Sequence, residues 1–314
     1  MSDPLARGLE VAPGYEVIEH LRRGRNLDVY DVWSEERACR CVVKSLRPDR
    51  LGREGPTRRL LDEGRLLSRL THPHIVRAYE VREQPVPLFV METLAGETLG
   101  HMIEVRDAEL SAAEVAHLGL HLASAIRYLH ANGWLHLDLK PSNVIAERGR
   151  AKLIDLSVAR PPGPAHGGIG TLYYMAPEQV RGGELGPPAD VWGIGAVLFE
   201  AATREPAFDD PNADEVDDAR SDEPYDESDE PSEERGDSDE LATGERFDES
   251  DYPQLTRTTR HAEELRGLPD ELGRLIMACL EHEPARRPSV PELLSALEPV
   301  AELPPGERRH QAPS

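Results

Sequence analysis

The chain has little that would staple it, anchor it or load it with metal. Its 314 residues include three cysteines, Cys39, Cys41 and Cys279. Three thiols at these spacings build neither a disulfide framework nor a zinc site, and they fit a reduced, cytoplasmic setting. No run approaches the roughly 18 uninterrupted apolar residues that a membrane span needs. The first 14 residues hold no apolar core of a secretion signal. Basic residues are scarce as well: 36 Lys and Arg stand against 59 Asp and Glu, a formal net charge of −23. Such a balance argues against general nucleic-acid binding, which depends on cationic contacts to phosphate.

The negative charge is concentrated in one place. Residues 209–251 hold 21 Asp and Glu against 3 Arg, together with five serines. A segment this charged buries too little apolar surface to offset its ordering entropy, so it reads as a disordered acidic insert. Two readings of it stay open, an inert insert and an electrostatic lure for a basic partner. The rest of the chain is close to neutral and long enough to bury a substantial core.

Around the insert the chain divides by periodicity. Val17-Ile18, Val29 to Trp33, Cys39 to Leu46, Val76 to Val81 and Leu88 to Met91 are short β-rich runs. Glu36-Arg37 is placed as a hairpin tip. Leu60, Leu61, Gly64, Leu67 and Leu70 recur at helical spacing, which predicts an amphipathic helix from Pro56 to Leu70. After Gly96 helices dominate. Ser111 with Glu114 forms a capping box for a helix from Ala112 to Ala131, closed by Asn132-Gly133. Pro188 to Ala202 is apolar on nearly every side and predicts a buried helix. Leu268 to Leu280 and Val290 to Leu297 are the last two predicted helices.

The chemistry-bearing residues follow in a fixed order. His136-Leu137-Asp138-Leu139-Lys140-Pro141-Ser142-Asn143 precedes Asp155-Leu156-Ser157, and Ala176-Pro177-Glu178 comes after both. Taken singly, each residue is an ordinary solvated polar loop residue. As an ordered set they resemble the catalytic loop, metal loop and activation-segment end of the serine/threonine protein kinases, in their bacterial, eukaryotic-like form. The resemblance runs from Tyr15 to Pro299, apart from the insert.

That resemblance implies an α+β, bilobal fold: a small β-rich N-lobe with one helix at 13–94, and a larger, mainly helical C-lobe at 95–302. Residues 1–12 and 303–314 would be tails. It implies ATP and Mg²⁺ as cofactors and a protein Ser/Thr hydroxyl as acceptor. Asp138 would orient the attacking hydroxyl and Lys140 would offset charge on the transferred group. Asn143 and Asp155 would hold the metal. Lys44, in Cys41-Val42-Val43-Lys44, would contact the nucleotide phosphates and pair with Glu63. Gly24 would belong to the phosphate-covering loop. Val29, Val42, Met91, Glu92, Leu94 and Ile145 would surround the base. Asp190 would brace the catalytic loop, and Arg287 would pair with Glu178.

The departures from the family pattern matter as much. Only Gly24 remains of the phosphate loop's three glycines; Arg22 and Leu27 stand at the others. Val42 replaces a smaller roof residue and Ser157 a glycine. Leu137 stands where the family has an arginine that receives a phosphate, and residues 158–170 contain no Ser, Thr or Tyr. Receiver and target are missing together, which implies an activation segment that needs no phosphate. The worn glycine loop leaves open a pseudokinase that binds nucleotide or scaffolds partners. A small-molecule phosphotransferase is the third alternative, opposed by the intact Thr171 and Ala176-Pro177-Glu178.

Overall fold

The computed structural model describes residues 3–105, 110–208, 252–256 and 264–302. The acidic insert at 209–251 and the tail at 303–314 lie outside these described residues. The β-rich runs of the first third become a six-stranded sheet. Its strands are β1 (Glu10–Ala12), β2 (Tyr15–Arg23), β3 (Leu27–Ser34), β4 (Cys39–Leu46), β5 (Ala78–Arg82) and β6 (Leu88–Glu92), in the order β1-β2-β3-β4-β6-β5. Ordered packing thus begins inside the segment read as an N-terminal tail: Val11 and Ala12 are buried.

Side-chain alternation gives the sheet two working faces. One face collects Tyr15, Val17, Tyr30, Val32, Cys41, Val43, Leu88 and Val90 into a small core. Val29, Lys44 and Phe89 are aligned by strand register on the other face, as are Val42 and Met91. Helix α1 (Glu54–Arg69) packs under that second face with Leu60, Leu61, Glu63, Gly64, Leu66 and Leu67 buried. Gly64 is required there, because a Cβ would lie 2.7 Å from Phe89 Cβ.

The second lobe is built on helices. A two-residue strand, β7 (Glu97–Thr98), leads into α2 (Leu99–Val105) and then α3 (Ala112–Ala131). The α3 capping box forms as the sequence predicts, with Ser111 accepting from the Glu114 N–H and Glu114 reaching back to the Ser111 N–H. A hairpin of β8 (Val144–Glu147) and β9 (Arg150–Leu153) lies beside β7. Then come β10 (Gly163–Ala165), α4 (Pro177–Arg181), β11 (Gly183–Leu185), α5 (Pro187–Thr203), α6 (Pro253–Thr256), α7 (Asp270–Cys279) and α8 (Val290–Val300). Helix α5 is buried along almost its whole length and forms the lobe's axis. Helix α8 runs three residues beyond its apolar pattern, opened by a second capping box between Ser289 and Glu292.

The lobes meet along a continuous core that includes Leu67, Leu70, Ile75, Leu153 and Leu156. The link from α1 to β5 crosses this seam and is pinned by Val76 N–H to the Leu153 carbonyl at 2.8 Å and by Leu153 N–H to the His74 carbonyl at 3.0 Å. His72 in this link stacks on Tyr128 of α3, and its Nδ1 accepts the His74 N–H at 3.2 Å. Burial, with His74 beside it, pushes the His72 imidazole down to about 4. The unfolded chain takes up this proton near pH 6.5. The stabilising contribution is therefore complete above about 6.5 and lost as pH falls from there towards 4. His72→Asn retains an acceptor without a titrating ring. It is expected to flatten the acid limb of urea-unfolding stability measured from pH 7 to 4.5; an unaltered limb contradicts this.

Candidate active site

The seam between the lobes opens into a cavity of about 1280 Å³. This exceeds the roughly 300–1,000 Å³ of ordinary small-molecule pockets. It does so because the cleft continues past the Gly24 turn to the first turn of α1 (Gly55, Pro56) and to Ala159 and His166. Gly24, Val29, Val42, Lys44, Glu63, Met91, Glu92, Leu94, Asn143, Ile145 and Asp155, each singled out from the sequence, all line it. Asp138 and Lys140 are not part of that lining; they are buried in the catalytic loop alongside.

Strand β4 aims Lys44 inward opposite Val29 and Phe89, and α1 presents Glu63 to it. Lys44 Nζ lies 3.0 and 2.9 Å from the two Glu63 oxygens and 2.9 Å from Asp155 Oδ2. One ammonium thus serves two carboxylates. Burial pushes Glu63 up to about 7 against the pull of Lys44. Burial also opposes the charge on Asp155, but Lys44 and hydrogen bonds from Ser157 hold its carboxyl well below the usual range. The difference follows partners: Asp155 takes hydrogen bonds from Ser157 as well as Lys44, whereas Glu63 is raised further by the charge of Asp155. Lys44 itself is held above its ordinary value by the two acids despite burial.

The catalytic loop is fixed from behind. Asp190, in the first turn of α5, accepts the His136 N–H at 2.9 Å, the Leu137 N–H at 2.7 Å and His130 Nε2 at 2.7 Å. Leu137 is held at φ 65°, a left-handed conformation that costs an L-residue about 1–2 kcal/mol. Its neighbour Asp138 is gripped on both oxygens: Thr171 Oγ1 donates to Oδ1 at 2.6 Å and Asn143 Nδ2 to Oδ2 at 2.9 Å. Lys140 Nζ donates to the same Thr171 hydroxyl at 2.8 Å and lies 3.8 Å from Asp138 Oδ2. A carboxylate, a cation and the Thr171 hydroxyl of the activation segment therefore form one buried unit.

Asn143 spends its amide nitrogen on Asp138, which leaves its carbonyl oxygen available as a metal ligand. Together with the Asp155 carboxylate it presents hard oxygen ligands to the cleft, the donor set that suits Mg²⁺. No group of three or more His, Cys, Asp or Glu arranged to hold a metal occurs among the described residues. Two protein oxygens, with phosphates and water completing the shell, are how Mg²⁺ is commonly held.

Two pairings around the worn glycine loop escape sequence reading. Asp28, fully buried, takes Arg23 in a bidentate pair at 2.8 and 2.9 Å across the β2–β3 hairpin, with His20 at 3.1 Å. Arg47, held by Asp49, donates to the Gly24 and Arg25 carbonyls, both at 3.1 Å. The hairpin tip that glycines would leave loose is here tied at its base and its crest. Leu156 is buried in the shared core. Arg287 forms the expected pair with Glu178, at 2.6 and 2.8 Å.

A sheet lobe over a helical lobe, with a lysine–carboxylate cluster and a braced aspartate at the seam, is the bilobal kinase architecture. Residues 15–297 match the protein kinase domain model, and the chain belongs to that family. The serine/threonine-protein kinase RUNKEL of Arabidopsis thaliana is 32% identical over 206 residues, 62% of this chain and 14% of that protein. The DNA damage-responsive serine/threonine-protein kinase RqkA of Deinococcus radiodurans is 32% identical over 215 residues, 65% of this chain and 32% of its own length. Serine/threonine-protein kinase PknB of Mycobacterium leprae is 31% identical over 179 residues, 53% and 29% of the two chains. The chain thus spans about a third or less of these relatives. Among the described residues no helix is long and apolar enough to cross a membrane.

Proposed function

We propose that the chain is an ATP-dependent serine/threonine protein kinase. The observation that carries this reading is the buried unit of Asp138, Lys140 and Thr171. Phosphoryl transfer needs positioning and charge neutralisation more than covalent help from the protein. Asp138, oriented by Asn143 and Thr171, accepts the acceptor hydroxyl's proton. Lys140 offsets charge on the transferred group. Lys44, steadied by Glu63, holds the nucleotide phosphates. Asn143 and Asp155 would hold Mg²⁺, which would supply charge neutralisation for the transfer. Val29, Val42, Met91, Leu94 and Ile145 enclose the base.

The kinase works without a phosphate on its activation segment, because Leu137 offers no charge to receive one. Phosphosite mapping after incubation with Mg-ATP tests both statements. Phosphoserine and phosphothreonine are expected on protein acceptors, with none between 155 and 170 and no loss of rate after phosphatase treatment of the kinase. Phosphotyrosine alone, or an activating phosphate in that span, contradicts the reading.

A second reading, a nucleotide-binding pseudokinase, is favoured by one observation: Arg22, Arg25 and Leu27 line the cleft where close backbone approach to phosphates is usual. It predicts nucleotide binding with no transfer.

A further inference from the structure

The contacts around Asp138 close into a ring through a residue that no motif marks. Gln179 is the third residue of α4 and is 2% exposed. Its Nε2 donates to the Leu137 carbonyl at 2.7 Å and to the Ile169 carbonyl at 2.8 Å. Its Oε1 accepts the Ala176 N–H at 3.0 Å. Both amide hydrogens are spent, and the opposite orientation would set an oxygen against two carbonyl oxygens. Only an amide satisfies the site; a carboxylate of the same length does not.

The two carbonyls belong to different segments. Leu137 lies in the catalytic loop, and its carbonyl forms the peptide that leads into Asp138. Its N–H is already held by Asp190, so Gln179 fixes the other side of this left-handed residue. Ile169 lies in the activation segment, two residues before Thr171, whose hydroxyl meets Asp138. Gly170 between them has φ 122°, and a Cβ there would lie 2.7 Å from the Leu137 carbonyl oxygen and 3.1 Å from Gln179 Nε2. The segments approach this closely because the bridging residue is glycine.

We propose that Gln179 is a positioning residue for phosphoryl transfer: a neutral amide clamp that holds the activation segment against the catalytic loop and seats Thr171 on Asp138 without any phosphate. The proposal rests on the kinase reading above. The chain has no arginine immediately before Asp138 and no hydroxyl residue from 158 to 170, so an arginine–phosphate link between these segments is not available to it. Gln179 supplies the link without charge. Burying a neutral amide with every hydrogen bond made avoids the desolvation cost that a buried ion pair carries.

The test compares the full chain with Gln179→Glu and Gln179→Met. Steady-state transfer to a protein acceptor is measured with Mg-ATP, alongside nucleotide affinity by calorimetry. Both variants are expected to lose about 10- to 100-fold in kcat, the scale of a misplaced catalytic group. Nucleotide affinity and KM for ATP should stay within about twofold, because Gln179 does not line the cleft. Transfer within twofold of the parent in both variants overturns the proposal. So does a fall in nucleotide affinity as large as the fall in kcat, which marks a merely structural role. If neither variant folds, hydrogen exchange on the unphosphorylated parent decides. Amides of residues 169–175 should exchange as slowly as those of residues 136–139, and free exchange there overturns the clamp. A parent that binds nucleotide but transfers nothing refutes the kinase reading instead, and the exchange result then judges the clamp by itself.

Discussion

Lys44→Met is expected to lower γ-phosphate transfer by about 10²–10³-fold, the usual cost of removing a preorganised charge from a reacting centre. The loss has two sources. The nucleotide phosphates lose their cation, and two carboxylates lose theirs. Lys44 is the ion-pair partner that Glu63 and Asp155 share in the cleft. Without it, Glu63 keeps a buried charge with no counter-charge or takes up a proton. Burial already pushes it up to about 7 with the lysine in place, so protonation near neutral pH is the expected outcome. Asp155 loses the ammonium that holds it ionised. Lys44→Arg is not a rescue, because a planar fork does not replace a compact ammonium between two acids. Transfer assays on the purified variant check this. Activity within tenfold of the parent would show that Lys44 does not contact the phosphates.

Arg287→Ala is expected to cost about 3–5 kcal/mol of stability, the range for breaking a buried pair from one side. The side chain of Arg287 is fully buried. Beyond Glu178, it donates to the carbonyls of Pro188, Glu281 and His282, and its guanidinium lies 5.0 Å from the centre of the Trp192 ring. Removal strands the Glu178 carboxylate and three carbonyls at the junction of α4, α5 and the turn before α8. A fall in melting temperature of roughly 10 °C follows for a domain of this size. Arg287→Lys should recover only part of it, since a point cation cannot serve so many acceptors at once. A change under about 2 °C would mean the pair is solvated in solution.

Much of the fold was legible because the signals are local. The Ser111 and Glu114 box, the stripe of Leu60, Leu61 and Leu67, and the all-apolar α5 each act within a few residues. The site was legible because its chemistry demands rare residue types in a fixed order, from Lys44 to Asp155. What the sequence hid were partners set by tertiary approach. Strand β2 runs on through His20, Arg22 and Arg23, where the sequence shows only charge. Register puts Arg23 opposite Asp28 and converts that charge into a cross-strand pair. Arg47 carries no signal either, since its partners at 24 and 25 come into reach only when β2, β3 and β4 are paired. Gln179 is one glutamine after a familiar motif, and the carbonyls it joins are 42 and 10 residues away. Ser289 with Glu292 is a cap that could have been read, since its spacing repeats that of Ser111 and Glu114.

As proposed, this chain transfers phosphate as folded, without prior phosphorylation and despite its worn glycine loop. Single-turnover transfer from γ-labelled Mg-ATP to a protein acceptor, by phosphatase-treated parent and by Asp138→Asn, tests it most directly. Transfer by the parent and a loss of about 10²–10⁴-fold in the variant are expected, the contribution of a positioned general base. Equal label from both proteins, or nucleotide binding with no transfer by either, would contradict it.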